Sequence, residues 1–390
     1  MELKEFLDKL PQDFENEKTI FYKAPGRINI IGEHTDYNGG LCLPAAIDKS
    51  IYFALTPSYE TEIISLNEGN HYLLGQSKSP VDWAIYFKGV LDLLKEKAYQ
   101  WPYFKLAFGG NLPSGAGLSS SSAITCGFIS ILNDFAELNL SKDKLTSLSV
   151  IAEKASGLDG GMMDQITILN AKKNHVLLIN CDTWSIQYIQ IPDSQTCWLV
   201  VDTKIKHKLV DTEYNARSKA CEEIRIIARN LFGEIKSISQ LNNFQQIEVC
   251  KHLSLQKQHF LNFVLSENIR VKSMVAALKN SDFTQAGKLL FEGHDGLRKW
   301  YLVSCDELDF LINYASHNSM AYGARMMGGG FGGSTLHLIE KSTKEKYIVG
   351  IKSAYKNRFG FEPNVFEAIL ETGVQKLNNN SKQVPLPILF

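Results

Sequence analysis

Arg27, Glu33, His34, Asp36 and Asn38 fall within Ala24–Gly40, "APGRINIIGEHTDYNGG", among glycines at 26, 32, 39 and 40. A solvated turn needs Gly, Asn and Asp. It has no need of a guanidinium, a second carboxylate and an imidazole, so these polar groups are candidates for chemistry. A second stretch, "GGNLPSGAGLSSSSAIT" over Gly109–Thr125, joins a strand pattern to a helix pattern. Gly115 and Gly117 let the backbone turn tightly and approach a ligand. Ser119 to Ser122 then fall where free amides and the helix dipole favour an anion. Capping needs one hydroxyl and four are offered, so the loop reads as a phosphate site whose hydroxyls can also ligate Mg²⁺.

Other stretches say less alone. The pattern G-x-x-x-x-G-K-[ST] is absent. "GGGFGG", Gly328–Gly333, satisfies G-x-G-x-x-G but runs into the alternating "STLHLI", where a dinucleotide fingerprint needs a helix. It is either a tight loop or a close backbone approach to a ligand. Asp164 in "GLDGGMMDQITIL" reads as an acid in a first helical turn, where it complements the dipole. "TKIKHKLVDTEYNAR", with Lys204, Lys206, His207, Lys208 and Tyr214, reads in isolation as a solvated face.

The elements that must position these residues are mixed. "TIFYKA", "SIYFALT", "YFKLAF", "HVLLINC" and "CWLVVDT" read as strands. A helix is predicted over 84–100, with Ile85, Val90, Leu91, Leu93 and Leu94 at helical spacing. Others are predicted over 119–138 and after Ser141, which has the side chain of an N-cap. From Asp211 to about Asn318 the pattern is mostly helical, followed by the strand "STLHLI", a helix over 343–359 and the strand "NVFEAI". The polar, Pro-punctuated end "NNNSKQVPLPILF" reads as an appendage.

Composition bounds the partners. Lys plus Arg is 41 and Asp plus Glu is 42, a net charge of -1. No basic field is present for nucleic acid or an anionic membrane, so small molecules are favoured. Apolar residues make up 44%, enough for a sizeable core. The charged opening "MELKEFLDKLPQDFENEK" has no apolar signal region, and no run approaches a membrane span. Seven scattered cysteines with no C-x-x-C point to reduced thiols and a cytoplasmic setting.

Taken in order, these stretches resemble the galactokinase family of the GHMP small-molecule kinase superfamily. "GRINIIGEHTDYNGG" resembles its sugar signature and "LPSGAGLSSSSA" the superfamily's phosphate loop. "GGMMDQ" resembles the segment bearing the catalytic aspartate. "EYNARSKACEE", "GHDGLRKWYLVSCDELDFL" and "GARMMGGGFGGSTLHLI" are similar to second-half motifs. The resemblance implies an α+β fold of two domains, 1–185 and 186–390, with the site in the cleft between them. It implies ATP-dependent phosphorylation of α-D-galactose at C1, in a monomer or weak oligomer. Asp164 and Arg27 would be catalytic. Glu33, His34, Asp36, Gly161 and Tyr214 would surround the hexose. Gly115, Ala116, Gly117, Leu118, Ser119, Ser120 and Ser121 would hold the ATP phosphates, and Ser120, Ser121 and Glu153 the Mg²⁺.

Three departures stand out. Lys206 replaces a common Arg, keeping a stabilising charge but losing the bidentate fork. Gly160 replaces a common Cys. The segment 153–157 is one residue short, which bears on Glu153 as a metal ligand. Two rivals are a kinase for N-acetylgalactosamine or L-arabinose, and a non-catalytic sensor of galactose and ATP. "HTDYNGG" fits galactose better than the former, and the full-length serine loop and Asp164 favour catalysis over the latter.

Overall fold

The computed structural model describes residues 1–74, 81–154, 161–192, 195–206 and 210–378, without the side chains of 206 and 210–212. Gly160, His207, Lys208, the Lys206 side chain and most of the tail therefore lie outside the described residues. The chain opens with α1 (Leu3–Asp8), then strands β1 (Ile20–Asn29), β2 (Leu41–Cys42), β3 (Pro44–Pro57), β4 (Glu62–Ser65) and β5 (Asn70–Leu73). Next come α2 (Ala84–Glu96), β6 (Phe104–Gly110), α3 (Ser120–Phe135), α4 (Lys142–Lys154) and α5 (Met163–Asn170). Strands β7 (His175–Asn180), β8 (Ser185–Gln190) and β9 (Thr196–Lys206) lead into helices α6 (Val210–Phe232), α7 (Asn243–Cys250), α8 (Leu255–Lys279), α9 (Phe283–Gly296) and α10 (Asp306–Ser316). The chain closes with β10 (Ala321–Met327), β11 (Gly332–Glu340), α11 (Lys344–Phe359), β12 (Asn364–Glu367) and β13 (Gln375–Leu377).

These form three sheets, ordered β13-β1-β3-β6-β4-β5, β10-β11-β9-β12 and β2-β7-β8. In the first, β4 runs parallel to β6 and the other pairs are antiparallel. Its inner face is covered by α2, α3 and α4 over a core that includes Phe53, Phe87, Leu106 and Phe128. Helix α3 lies close because Gly127 faces the sheet: a Cβ there would be 2.3 Å from the Phe53 ring. Two sequence expectations shift. The helix predicted over 84–100 stops at Glu96, where Ala98 turns left-handed and the Tyr99 amide reaches back to the Leu94 carbonyl at 3.0 Å. Its buried stripe runs through Ala84, Phe87, Val90, Leu91, Leu93 and Leu94, leaving Ile85 facing out on the opposite side of the helix.

The halves are interleaved rather than strung end to end. Strand β8 pairs with β7, so their hairpin straddles the boundary expected at 185/186. Strand β13 returns residues 375–377 to the sheet of the first half, against β1. A single apolar cluster joins Ile28, Ile31 and Leu43 to Met274, Leu290 and Leu336, so both halves share core beneath the sugar-signature loop. Among the described residues, no helix is long and apolar enough to cross a membrane, and all seven cysteines are free thiols.

Candidate active site

Strand β1 delivers Arg27 and then releases the chain into a pinned loop. Gly32 turns at φ +95° and His34 at +59°, a left-handed conformation uncommon for a residue with a side chain. The Gly32 amide donates to Glu267 Oε1 at 2.9 Å, and Glu267, fully buried, takes Arg270 Nε at 2.7 Å. Asn38 Nδ2 donates to the His34 carbonyl at 2.7 Å, closing the turn from inside. The backbone therefore presents Glu33, His34 and Asp36 together, with little freedom left to them.

Asp164, in the first turn of α5, meets Arg27 face on. Arg27 Nε reaches Oδ1 at 2.7 Å and Nη2 reaches Oδ2 at 2.9 Å, a bidentate fork, while Nη1 donates to the Gly117 carbonyl at 2.6 Å. Ser119 Oγ donates to Asp164 Oδ2. Burial alone would weaken the charge on Arg27, but Asp164, with Glu33 and Asp36 beyond it, raises its pKa. Asp164 thus does more than complement a helix dipole.

Glu33 is held from both halves. Asn29 Nδ2 donates to Oε2 at 3.0 Å, the Gly328 amide donates to Oε1 at 2.8 Å, and Arg325 Nη2 lies 3.2 Å from Oε1. Asp36 stands against Gly161, where a Cβ would fall 2.3 Å from its Oδ2. Burial, then the charge of Asp164, pushes the Asp36 carboxyl up to about 7. His34 is enclosed by tyrosines, with ring centroids 4.9 Å from Tyr301, 5.4 Å from Tyr214 and 5.8 Å from Tyr37. Burial lowers its imidazole to about 3, so the ring is neutral. Burial also keeps the phenols of Tyr37, Tyr214 and Tyr301 protonated.

The loop before α3 turns left-handed at Gly115, Gly117 and Ser119. Ser119, engaged by Asp164, provides no side-chain cap, so the first amides of α3 have no side-chain partner there. Ala116 and Leu118 bury their side chains and can offer a ligand only backbone. Ser120 Oγ donates to the Pro113 carbonyl at 3.0 Å, whereas Ser122 Oγ lies 2.8 and 3.0 Å from the two oxygens of Glu153. Gln165 Nε2 reaches Glu153 Oε2 at 2.5 Å. Burial, with the charge of Asp164, raises the Glu153 carboxyl, and the serine and glutamine hydrogen bonds oppose that. From the second half, Ser334 Oγ holds the Ala116 carbonyl at 2.6 Å, and a Cβ on Gly328 would lie 3.5 Å from the Gly117 Cα. The third glycine motif is therefore a close approach to the glycine-serine loop. Lys206 ends β9, with its backbone paired to Gly332.

One cleft of about 1040 Å³ is lined by Arg27, Glu33, His34, Asp36, Gly161, Asp164 and Tyr214 together with Ser119–Ser122 and Glu153. Trp83, Tyr86 and Phe108 also line it. Sequence reasoning did not single out Asn29, Arg325, Gln165, Tyr37, Tyr301 or the aromatic residues of the cleft. Gln165 had a signal in its place beside Asp164, and Asn29 and Tyr37 lie within four residues of the groups they touch, whereas Arg325 and Tyr301 meet the site through contacts distant in sequence.

A pinned polyol-type pocket, an uncapped glycine-serine loop and two interleaved α+β halves define a GHMP kinase. Family models agree, matching the GHMP kinases N terminal domain over residues 85–172 and the GHMP kinases C terminal over 274–357. Mevalonate kinase structures share the fold, one at a TM-score of 0.64 and 17% identity over 90% of this chain and 99% of that one. A third model, the galactokinase galactose-binding signature, matches residues 9–57. Galactokinase of Thermotoga neapolitana is 36% identical over 91% of this chain and 99% of its own, and that of Clostridium beijerinckii 32% over 96% and 100%. The crystal structure of Lactococcus lactis galactokinase complexed with galactose superposes at a TM-score of 0.88, with 25% identity over 96% of this chain and 98% of that one. The chain belongs to the galactokinase family.

Proposed function

We propose that the chain transfers the γ-phosphoryl group of ATP to the C1 hydroxyl of α-D-galactose, giving galactose 1-phosphate and ADP. The observation that carries this reading is the Arg27–Asp164 fork, set in one cleft between the pinned loop bearing Glu33, His34 and Asp36 and the glycine-serine loop. Glu33 and Asp36 accept hydrogen bonds from sugar hydroxyls, and an epimer that leaves one of them unpaired loses about 1–3 kcal/mol. Asp164 orients the C1 hydroxyl toward the phosphate, and Arg27 steadies the negative charge that develops there. Backbone amides of residues 115–121 cradle the phosphates, and Lys206 stands as a further stabilising charge.

Mg²⁺ fits the oxygen donors present. It typically takes one or two carboxylates and completes its shell with water and substrate phosphate. Ser120, Ser121 and Glu153 would hold it; Glu153's raised carboxyl is the kind a nearby cation returns to the anion. When bound, the ion neutralises charge on the β- and γ-phosphates.

Initial rates with MgATP on galactose, glucose, L-arabinose and N-acetylgalactosamine, read by coupled ADP detection, test the reading. Galactose is expected to lead, and Asp164→Ala to lower kcat by about 10²–10⁴-fold without unfolding the chain. Absence of turnover on galactose would turn the reading to the sensor, and a faster rate on another sugar to the rival kinase.

A further inference from the structure

We propose that Tyr37 and Tyr301 are positioning residues for sugar recognition: they hold His34 with its ring proton on Nε2, so that His34 donates one hydrogen bond to one hydroxyl of the hexose. This rests on the reading above, that a hexose binds beside Asp36 and Asp164.

The imidazole is almost wholly buried, and its two nitrogens are treated differently. Nδ1 lies 2.7 Å from the Tyr37 hydroxyl, while Nε2 makes no hydrogen bond. The Gly329 backbone approaches the ring, without hydrogen-bonding geometry to Nε2. The phenol can give its proton to the ring or take the ring's; we take the phenol as donor and Nδ1 as acceptor, which leaves the orphaned Nε2 as the ring's N–H. A neutral imidazole with Nδ1 accepting carries its proton on Nε2. The polarity continues behind Tyr37. Its oxygen lies 2.9 Å from the Tyr301 hydroxyl, which in turn lies 3.2 Å from Cys221 Sγ. A thiol donating to Tyr301, Tyr301 to Tyr37 and Tyr37 to Nδ1 satisfies each group in one direction.

Tyr301 is held in place by unusual backbone. It closes a π-turn, Leu297–Tyr301, and Leu302 follows at φ +58°. Both features concentrate at functional sites. Arg217 fixes them: its guanidinium lies 5.4 Å from the Phe260 ring and 5.6 Å from Phe331, and donates to the carbonyls of Tyr301 at 3.1 Å and Leu302 at 3.0 Å. The second half thereby sets the proton position of a residue in the first.

The test combines Tyr37→Phe and Tyr301→Phe with galactose and its 2-, 3-, 4- and 6-deoxy analogues. We expect galactose KM to rise about tenfold in Tyr37→Phe, with kcat and the ATP KM within about twofold of wild type. Tyr301→Phe should follow in the same direction. Wild type should penalise one deoxy sugar in particular, and that penalty should shrink in both variants. A galactose KM within twofold of wild type, or a KM rise with the deoxy pattern unchanged, overturns the proposal. Independently, ¹⁵N spectra of the sugar-free, histidine-labelled wild type, assigned with His34→Asn, should show the Nε2–H form. A wild type protonated on Nδ1 overturns the proposal whatever sugar the enzyme uses, and so separates its failure from failure of the proposed function.

Discussion

Replacing Asp36 by asparagine separates the stability of the sugar pocket from its use. In the free protein burial, followed by the charges of Asp164 and Glu33, raises the Asp36 carboxyl from 3.8 to about 7. An acid whose folded pKa exceeds its unfolded value stays protonated in the folded state where the unfolded state has released its proton. Its ionisation therefore destabilises the fold progressively from about pH 4 to about pH 7, and the effect levels off above that. At about 1.4 kcal/mol per pH unit, going from pH 5 to pH 8 crosses roughly two units of this window, or roughly 2–3 kcal/mol. Asp36 is open to the cleft on one side, where solvent screens its charge, so about 1–2 kcal/mol is the expected size. Asp36→Asn carries no such charge. Urea unfolding of both proteins at pH 5, 6, 7 and 8, without sugar or nucleotide, should show the variant gaining on wild type by that amount, while its galactose KM rises. A stability difference that stays constant across the range would refute the electrostatic account of this residue.

Arg325 is fully buried, and its Nη1 also holds the carbonyls of Asn29 and Ile30 at 3.2 and 2.9 Å. Arg325→Met strands Glu33 in the interior and should lower stability by about 3–5 kcal/mol by urea unfolding, with Glu33→Gln in the same chain recovering part of the loss. Gly161→Ala places a methyl against Asp36, and galactose KM should rise at least about tenfold while the ATP KM is unchanged, by initial-rate kinetics.

What the sequence disclosed was local. Glu33, His34 and Asp36 crowd into one turn just after Arg27, and residue types that a turn does not need betray a second purpose. The serines after Gly117 are legible for the same reason. Arg325 is not: it lies in a strand of the other half, and the Glu33 it faces comes from the start of the chain. Tyr301 carried no signal of its own, because its role depends on a π-turn and a left-handed leucine that periodicity does not reveal. The same limit applies to the fold. Helices of the second half follow from spacing, whereas β13 is three residues whose pairing with β1 is a tertiary choice, and the β7–β8 hairpin crosses the boundary expected at 185/186.

The geometry around Asp164 bears on how much work its basicity does. Both carboxylate oxygens already accept hydrogen bonds, Oδ1 from Arg27 Nε and Oδ2 from Arg27 Nη2 and Ser119. These bonds fix the carboxylate's orientation, so its remaining lone pairs point in set directions. Phosphoryl transfer through a loose transition state asks little covalent participation of the nucleophile until late, so alignment outweighs proton removal. Arg27, tied to Gly117 of the phosphate loop through Nη1, then places the nucleophile's partner and the phosphate cradle on one rigid frame. On the proposed function, the fork makes Asp164 first a positioning charge and only second a base.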